Sequence, residues 1–128
     1  MKLLLDTCTF LWIAQDSSEL SQSAREVFAD PANEVYLSVV SAWEIAVKHA
    51  LGRLPLPQAP DRYLPQLRER HGIESLALDE EAVMQIGKLP GHHRDPFDRM
   101  LVCQALAHGL TLLTPDPLIS RYPVRTAW

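Results

Sequence analysis

Short apolar runs alternate with longer segments of helical periodicity, and this alternation predicts the architecture before any residue is given a role. Lys2–Leu5, Glu34–Val39, Glu74–Leu78 and Leu110–Thr114 read as strands, with Val124–Thr126 a weaker fifth. Between them, Ser21–Ala29, Ser41–Leu51, Asp61–His71, Asp79–Lys88 and Asp95–His108 carry apolar positions at helical spacing. Gly52, Gly72 and Gly109 follow three of these segments and suit left-handed caps. Strands that are apolar throughout must be covered on both faces, and alternation with helices makes their sheet parallel. The expected fold class is therefore α/β, a three-layer α/β/α sandwich around a central, mostly parallel sheet. LPLPQAP, Leu54–Pro60, is a proline-rich connection between helices, and residues 1–128 read as a single domain.

Composition narrows the function classes. Of the 128 residues, 47% are apolar and 22% charged, and the formal net charge is −4. Such a chain does not hold nucleic acid by bulk attraction; local basic residues or bound cations would have to offset the repulsion. Asp6 interrupts the apolar opening MKLLLDTCTF, which argues against a signal peptide, and no stretch reaches the ~20 apolar residues of a membrane span. Cys8 and Cys103 are too few for a disulfide framework or a cysteine zinc cluster. Both read as buried hydrophobes in a reducing, cytoplasmic setting.

Four acids stand where a parallel sheet would gather them. Asp6 directly follows KLLL, and Asp116 lies two residues past TLLT. Glu44, in Ser41-Ala-Trp-Glu44, is expected in the first turn of a helix beyond the second strand, and Asp98 in the first turn of the helix opened by DPFD. Strand C-termini and helix N-termini share one edge of such a sheet, where ligands bind and helix dipoles favour negative charge. Each acid also has a local reading. Ser41-x-x-Glu44 fits a capping box, Asp95-Pro96-x-Asp98 fits an N-cap with proline following, and Asp116 fits a turn. Asp6 has no local partner visible in the sequence. Together the four carboxylates would repel strongly unless protonated or metal-bound, and hard oxygen donors suit Mg²⁺ or Mn²⁺.

LLLDT, SAWEI, DPFDRMLVCQA and LLTPD, in that order across essentially the whole chain, resemble the PIN-domain ribonucleases of the VapC toxin type. The resemblance implies a PIN-like fold and a catalytic, metal-holding quartet of Asp6, Glu44, Asp98 and Asp116. Asp98 fits the family pattern of an acid preceding an apolar helix, D-x-x-[apolar]-x-x-x-A. Asp95 belongs to a DPFDR variant and is assigned to N-capping, with a supporting role at the site left open. The implied reaction is Mg²⁺- or Mn²⁺-dependent hydrolysis of RNA phosphodiesters, leaving a 5′ phosphate and a 3′ hydroxyl. The implied partners are the RNA substrate, a small cognate antitoxin and a second copy in a homodimer, with no membrane.

Around the quartet, Thr7 and Thr114 can orient a ligand or satisfy strand-end amides, and Ser41 has the same double reading. Lys48 either reaches a phosphate or pairs with Glu44 at i, i+4. His92, His93, Arg94 and Arg99 form a basic cluster at the DPFD turn that positions RNA or is simply solvated. A zinc site on His92 and His93 is not expected, because adjacent histidines seldom face one ion. Trp12, Trp43 and Trp128 read as core or interface, with Trp43 beside Glu44 the one near the site. Three alternatives stay open: a housekeeping PIN nuclease without antitoxin, a receiver-type signalling module, and a non-catalytic metal-binding interaction protein. The receiver reading lacks a lysine after the late strand.

Overall fold

The computed structural model describes all 128 residues. Five strands, β1 (Lys2–Leu5), β2 (Glu34–Ser38), β3 (Glu74–Leu76), β4 (Thr111–Leu113) and β5 (Thr126–Ala127), form one sheet in the order β3-β2-β1-β4-β5. Every neighbouring pair is parallel, so the expected mostly parallel sheet is wholly so. Six helices accompany it: α1 (Thr7–Gln15), α2 (Gln22–Ala29), α3 (Val39–Ala50), α4 (Pro60–His71), α5 (Glu80–Met84) and α6 (Pro96–His108). No helix is long and apolar enough to cross a membrane.

The strands divide their residues between two cores, as the two-residue repeat of a strand requires. Leu3, Leu5, Val35, Leu37 and Leu113 pack with Phe10 and Ile13 of α1, Ala24 of α2, and Leu64 and Leu67 of α4. Leu4 and Leu112 point the other way, onto Leu101, Val102 and Ala105 of α6 and onto Ile119 and Tyr122. Burial of both faces explains why the strand runs carry no polar alternation.

Two helix starts differ from expectation. α1 follows β1 with no loop, and Asp6 caps it by accepting from the Thr9 amide at 2.7 Å. Asp6 therefore does have a local partner, through a helix the apolar pattern does not separate from the strand. α3 begins at Val39 rather than Ser41; Ser38 is its N-cap, accepting from the Val40 amide at 3.0 Å. Ser41 and Glu44 consequently form no capping box, and Glu44 lies in the second turn. Elsewhere the caps are as read: Ser21, Asp79 and Asp95 open α2, α5 and α6, and Gly72 and Gly109 close α4 and α6 at φ 65° and 66°.

Candidate active site

β1 lies centrally, and the chain steps outward from it in both directions, so the sheet's switch point falls between β1 and β4. Asp6 and Asp116 emerge there from the C-terminal ends of those strands, where parallel sheets leave a crevice. α3 supplies Glu44 and the first turn of α6 supplies Asp98. A cleft of about 210 Å³ is lined by Asp6, Glu44, Asp98 and Asp116, together with Asp95, Thr7, Lys48, Cys8, Trp12 and Pro115. The structure thus brings all four predicted acids to one cavity.

Each acid is held by the chain. Asp6 is 5% exposed; Oδ1 caps α1, and Oδ2 accepts from the Thr114 hydroxyl at 2.5 Å. Glu44, 4% exposed, accepts from the Thr7 hydroxyl at 2.7 Å on Oε1 and from Lys48 Nζ at 2.5 Å on Oε2. Thr7 Oγ1 also lies 3.0 Å from the buried Ser41 hydroxyl. Both threonines therefore orient carboxylates. Lys48 makes the expected i, i+4 pair and also lines the cleft. Asp116 Oδ1 accepts from the Leu118 amide at 2.8 Å, so it is a turn residue as well. Asp95 accepts from the Phe97 and Asp98 amides at 2.8 and 3.3 Å, the predicted cap, while lining the cleft.

Electrostatics reflect the crowding. Burial, then the carboxylates of Asp95, Asp6 and Glu44, push the Asp98 carboxyl up to about 7 against the opposing influence of His93. Burial also raises Asp6, although the hydrogen bonds from Thr114 and Thr9 work against it. The hydrogen bond to Glu44 raises Lys48. Several carboxylates lining one cleft, two of them raised chiefly by burial, fit a hard divalent cation. Asp98, Asp116 and His93 offer ligand-type atoms within 4.8 Å of one another.

Several placements correct or add to the sequence reading. Cys8 is not a buried hydrophobe but exposed at the cleft, its thiol pushed up to about 11 by burial of the sulfur and by Asp6, Asp98 and Glu44; Cys103 is buried as expected, and both are free. Trp12, expected in core or interface, packs at a tilt against Trp128, ring centroids 5.7 Å apart, yet also lines the cleft. Arg99 stands behind the cleft lining, its guanidinium donating to the Pro90 carbonyl at 3.0 Å and the Tyr122 hydroxyl at 3.2 Å. His93 meets the acids directly, with Nε2 2.9 Å from Asp116 Oδ2 and 3.2 Å from Asp98 Oδ2. His92 turns away onto the Tyr122 ring at 5.2 Å, so the two histidines diverge.

An acid-lined crevice at the switch point of a doubly covered parallel sheet defines the class: an α/β/α protein whose acid cluster could hold a divalent cation. The chain belongs to the PIN domain family, which matches residues 3–124. It is similar to Ribonuclease VapC16 of Mycobacterium tuberculosis, at 35% identity over 63 residues; the match spans 49% of this chain and 45% of that protein's length. Ribonuclease VapC22 of the same organism is 28% identical over 116 residues, 89% of this chain and 86% of that protein. Among solved structures, DNA-bound VapBC from Salmonella typhimurium aligns at a TM-score of 0.71 with 22% identity, covering 99% of this chain and 97% of that one. VapBC2 from Rickettsia felis bound to a promoter DNA fragment also gives 0.71, with 14% identity and 99% and 98% coverage. At such identities these structures support the fold.

Proposed function

We propose that the chain is a metal-dependent endoribonuclease that hydrolyses RNA phosphodiester bonds, the toxin of a toxin–antitoxin pair acting in the cytoplasm. The observation that carries this reading is the convergence of Asp6, Glu44, Asp98 and Asp116 on one cleft from four separate elements. These four would hold Mg²⁺ or Mn²⁺, with Thr114 and Thr7 fixing the rotamers of Asp6 and Glu44. An ion held there would supply Lewis acidity toward the scissile phosphate and would lower the pKa of a water for attack near neutral pH. No side chain acts as nucleophile. Lys48, 46% exposed at the cleft, is placed to meet a backbone phosphate when it turns from Glu44. Asp95 starts α6 and so aims Asp98 without itself holding the ion.

Two protein partners belong to the same reading. A small antitoxin would neutralise the toxin, by likeness to the VapC ribonucleases and the VapBC assemblies. A second copy would cover α3, where Val39, Trp43, Val47 and Leu51 lie exposed at four-residue spacing along one face. Together they present on the order of 400 Å² of apolar side chain, the size of patch that marks interaction surfaces. The patch is about half the ~800 Å² each partner buries in a standard interface.

The test is cleavage of total cellular RNA by the purified, partner-free protein with Mn²⁺, beside Asp98→Asn and Asp95→Asn. Cutting should require metal, vanish in the Asp98 variant and persist in the Asp95 variant. Loss confined to the Asp95 variant would exchange their roles, and metal-independent cutting would refute the reading.

A further inference from the structure

We propose that His93 is a positioning residue for the acid cluster, its imidazole N–H holding Asp98 and Asp116 together in the arrangement from which they receive a divalent cation. The inference rests on the metal-dependent reading above and adds a residue to it.

The hydrogen-bond network assigns the ring's proton. Nδ1 faces the Asp95 amide at 3.1 Å, and a backbone N–H can only donate, so Nδ1 is an acceptor and carries no hydrogen. The ring proton is then on Nε2, which donates to Asp116 Oδ2 at 2.9 Å and lies 3.2 Å from Asp98 Oδ2. A nitrogen bearing that proton has no lone pair to offer an ion, so His93 acts through the two carboxylates. Its position agrees: the side chain is 12% exposed and lines no part of the cleft, standing behind the acids.

The ring is itself anchored. The His93 amide donates to the Tyr122 hydroxyl at 2.8 Å, and Arg99 donates to that same oxygen and to the Pro90 carbonyl. Tyr122 is buried in the core beside α6. The segment from Pro90 to His93 is thereby fastened to the body of the domain, and the imidazole inherits that rigidity.

The need for such a donor follows from the topology. Asp98 rides on α6 and Asp116 on the turn after β4, and the two carboxylates repel. The chain makes no hydrogen bond to the Asp98 carboxylate, for which His93 Nε2 at 3.2 Å is the one charge contact, whereas Asp6, Glu44 and Asp116 each have donors. An N–H given to Asp116 and set 3.2 Å from Asp98 draws the pair together without introducing a charge that competes with the ion. Lys48 on Glu44 is the contrasting device, a full charge that the ion must displace.

The experiment is Mn²⁺ titration calorimetry on the partner-free protein, comparing wild type with His93→Ala, His93→Gln and His93→Asn. Loss of a supporting hydrogen bond should weaken Mn²⁺ binding about 10–100-fold in the alanine variant. Glutamine places an amide N–H where Nε2 stands and should recover most of the affinity; asparagine, one bond shorter, should not. Should the alanine variant fail to fold by circular dichroism, the glutamine–asparagine contrast alone decides. Alanine binding within twofold of wild type, glutamine no better than asparagine, or a directly bound nitrogen in pulsed EPR of the Mn²⁺ complex would each overturn the proposal. Asp98→Asn and Asp6→Asn separate the two levels: if they bind Mn²⁺ like wild type, the metal reading fails and this inference with it. If they lose Mn²⁺ while His93→Ala keeps it, only the role of His93 fails.

Discussion

Replacing Asp98 with Asn should make the protein more stable while removing a proposed metal ligand. In the folded chain this carboxyl sits at about 7 rather than its ordinary 3.8. The sign follows directly. Between those values the folded protein keeps a proton that the unfolded chain has released, so wild-type stability falls as pH rises from about 4 to 7 and stays reduced above. At 1.36 kcal/mol per decade, a rise from 3.8 to about 7 corresponds to about 4 kcal/mol. Relaxation of the site and entry of water lower the net gain, and about 1–3 kcal/mol is expected for Asp98→Asn at pH 8. The side chain is 18% exposed, so solvent does not screen most of the effect. Thermal melts with EDTA at pH 4 and pH 8 provide the assay. The variant should match wild type at pH 4 and melt several degrees higher at pH 8, and Mn²⁺ should restore wild type but not the variant. A variant no more stable at pH 8, or equally stabilised at both pH values, would refute the argument that carboxylate crowding strains this site.

Three further outcomes follow from the same geometry. Because Asp98 must ionise to hold an ion, Mn²⁺ affinity measured calorimetrically should fall up to ~10-fold per pH step below 7; a flat profile from pH 8 to 6 would contradict this. Thr114→Val removes the hydroxyl that donates to buried Asp6, and should cost about 1.5–3 kcal/mol at pH 8 in a denaturant titration while weakening Mn²⁺ binding. Val47→Asp places a charge within the exposed α3 face and should yield monomers by analytical ultracentrifugation with little change in melting temperature; a wild type that is already monomeric at tens of micromolar would dispose of the dimer surface.

The sheet was legible because buried parallel strands need uninterrupted apolar runs, and KLLL, EVYLS and TLL meet that need without local ambiguity. α1 was not legible for a related reason. TCTFLWIAQ continues the apolar character of β1, contains β-branched and aromatic residues, and has only Asp6 to divide strand from helix. Missing that helix hid the cap on Asp6 and the cleft positions of Cys8 and Trp12 together. The start of α3 moved for a different reason: Ser38 and Ser41 are both competent caps, and only the packing of Val40 against Leu4 and α6 selects the earlier one. The four acids could be found because strand ends and helix starts in a parallel sheet share an edge. His93 could not, since it lies on a segment without regular structure whose path depends on Arg99 and Tyr122. The hint available was a histidine five residues before Asp98.

The Thr114–Asp6 hydrogen bond joins residues 108 positions apart. β1 and β2 can associate as soon as the first third of the chain exists, but β4 must add to the other side of β1 before Asp116 meets Asp6. During synthesis, therefore, a nascent chain carries Asp6 and Glu44 long before it carries a complete acidic cluster. On the proposed reading, an emerging chain holds only part of its acid cluster until Asp116 has been made and β4 has joined β1.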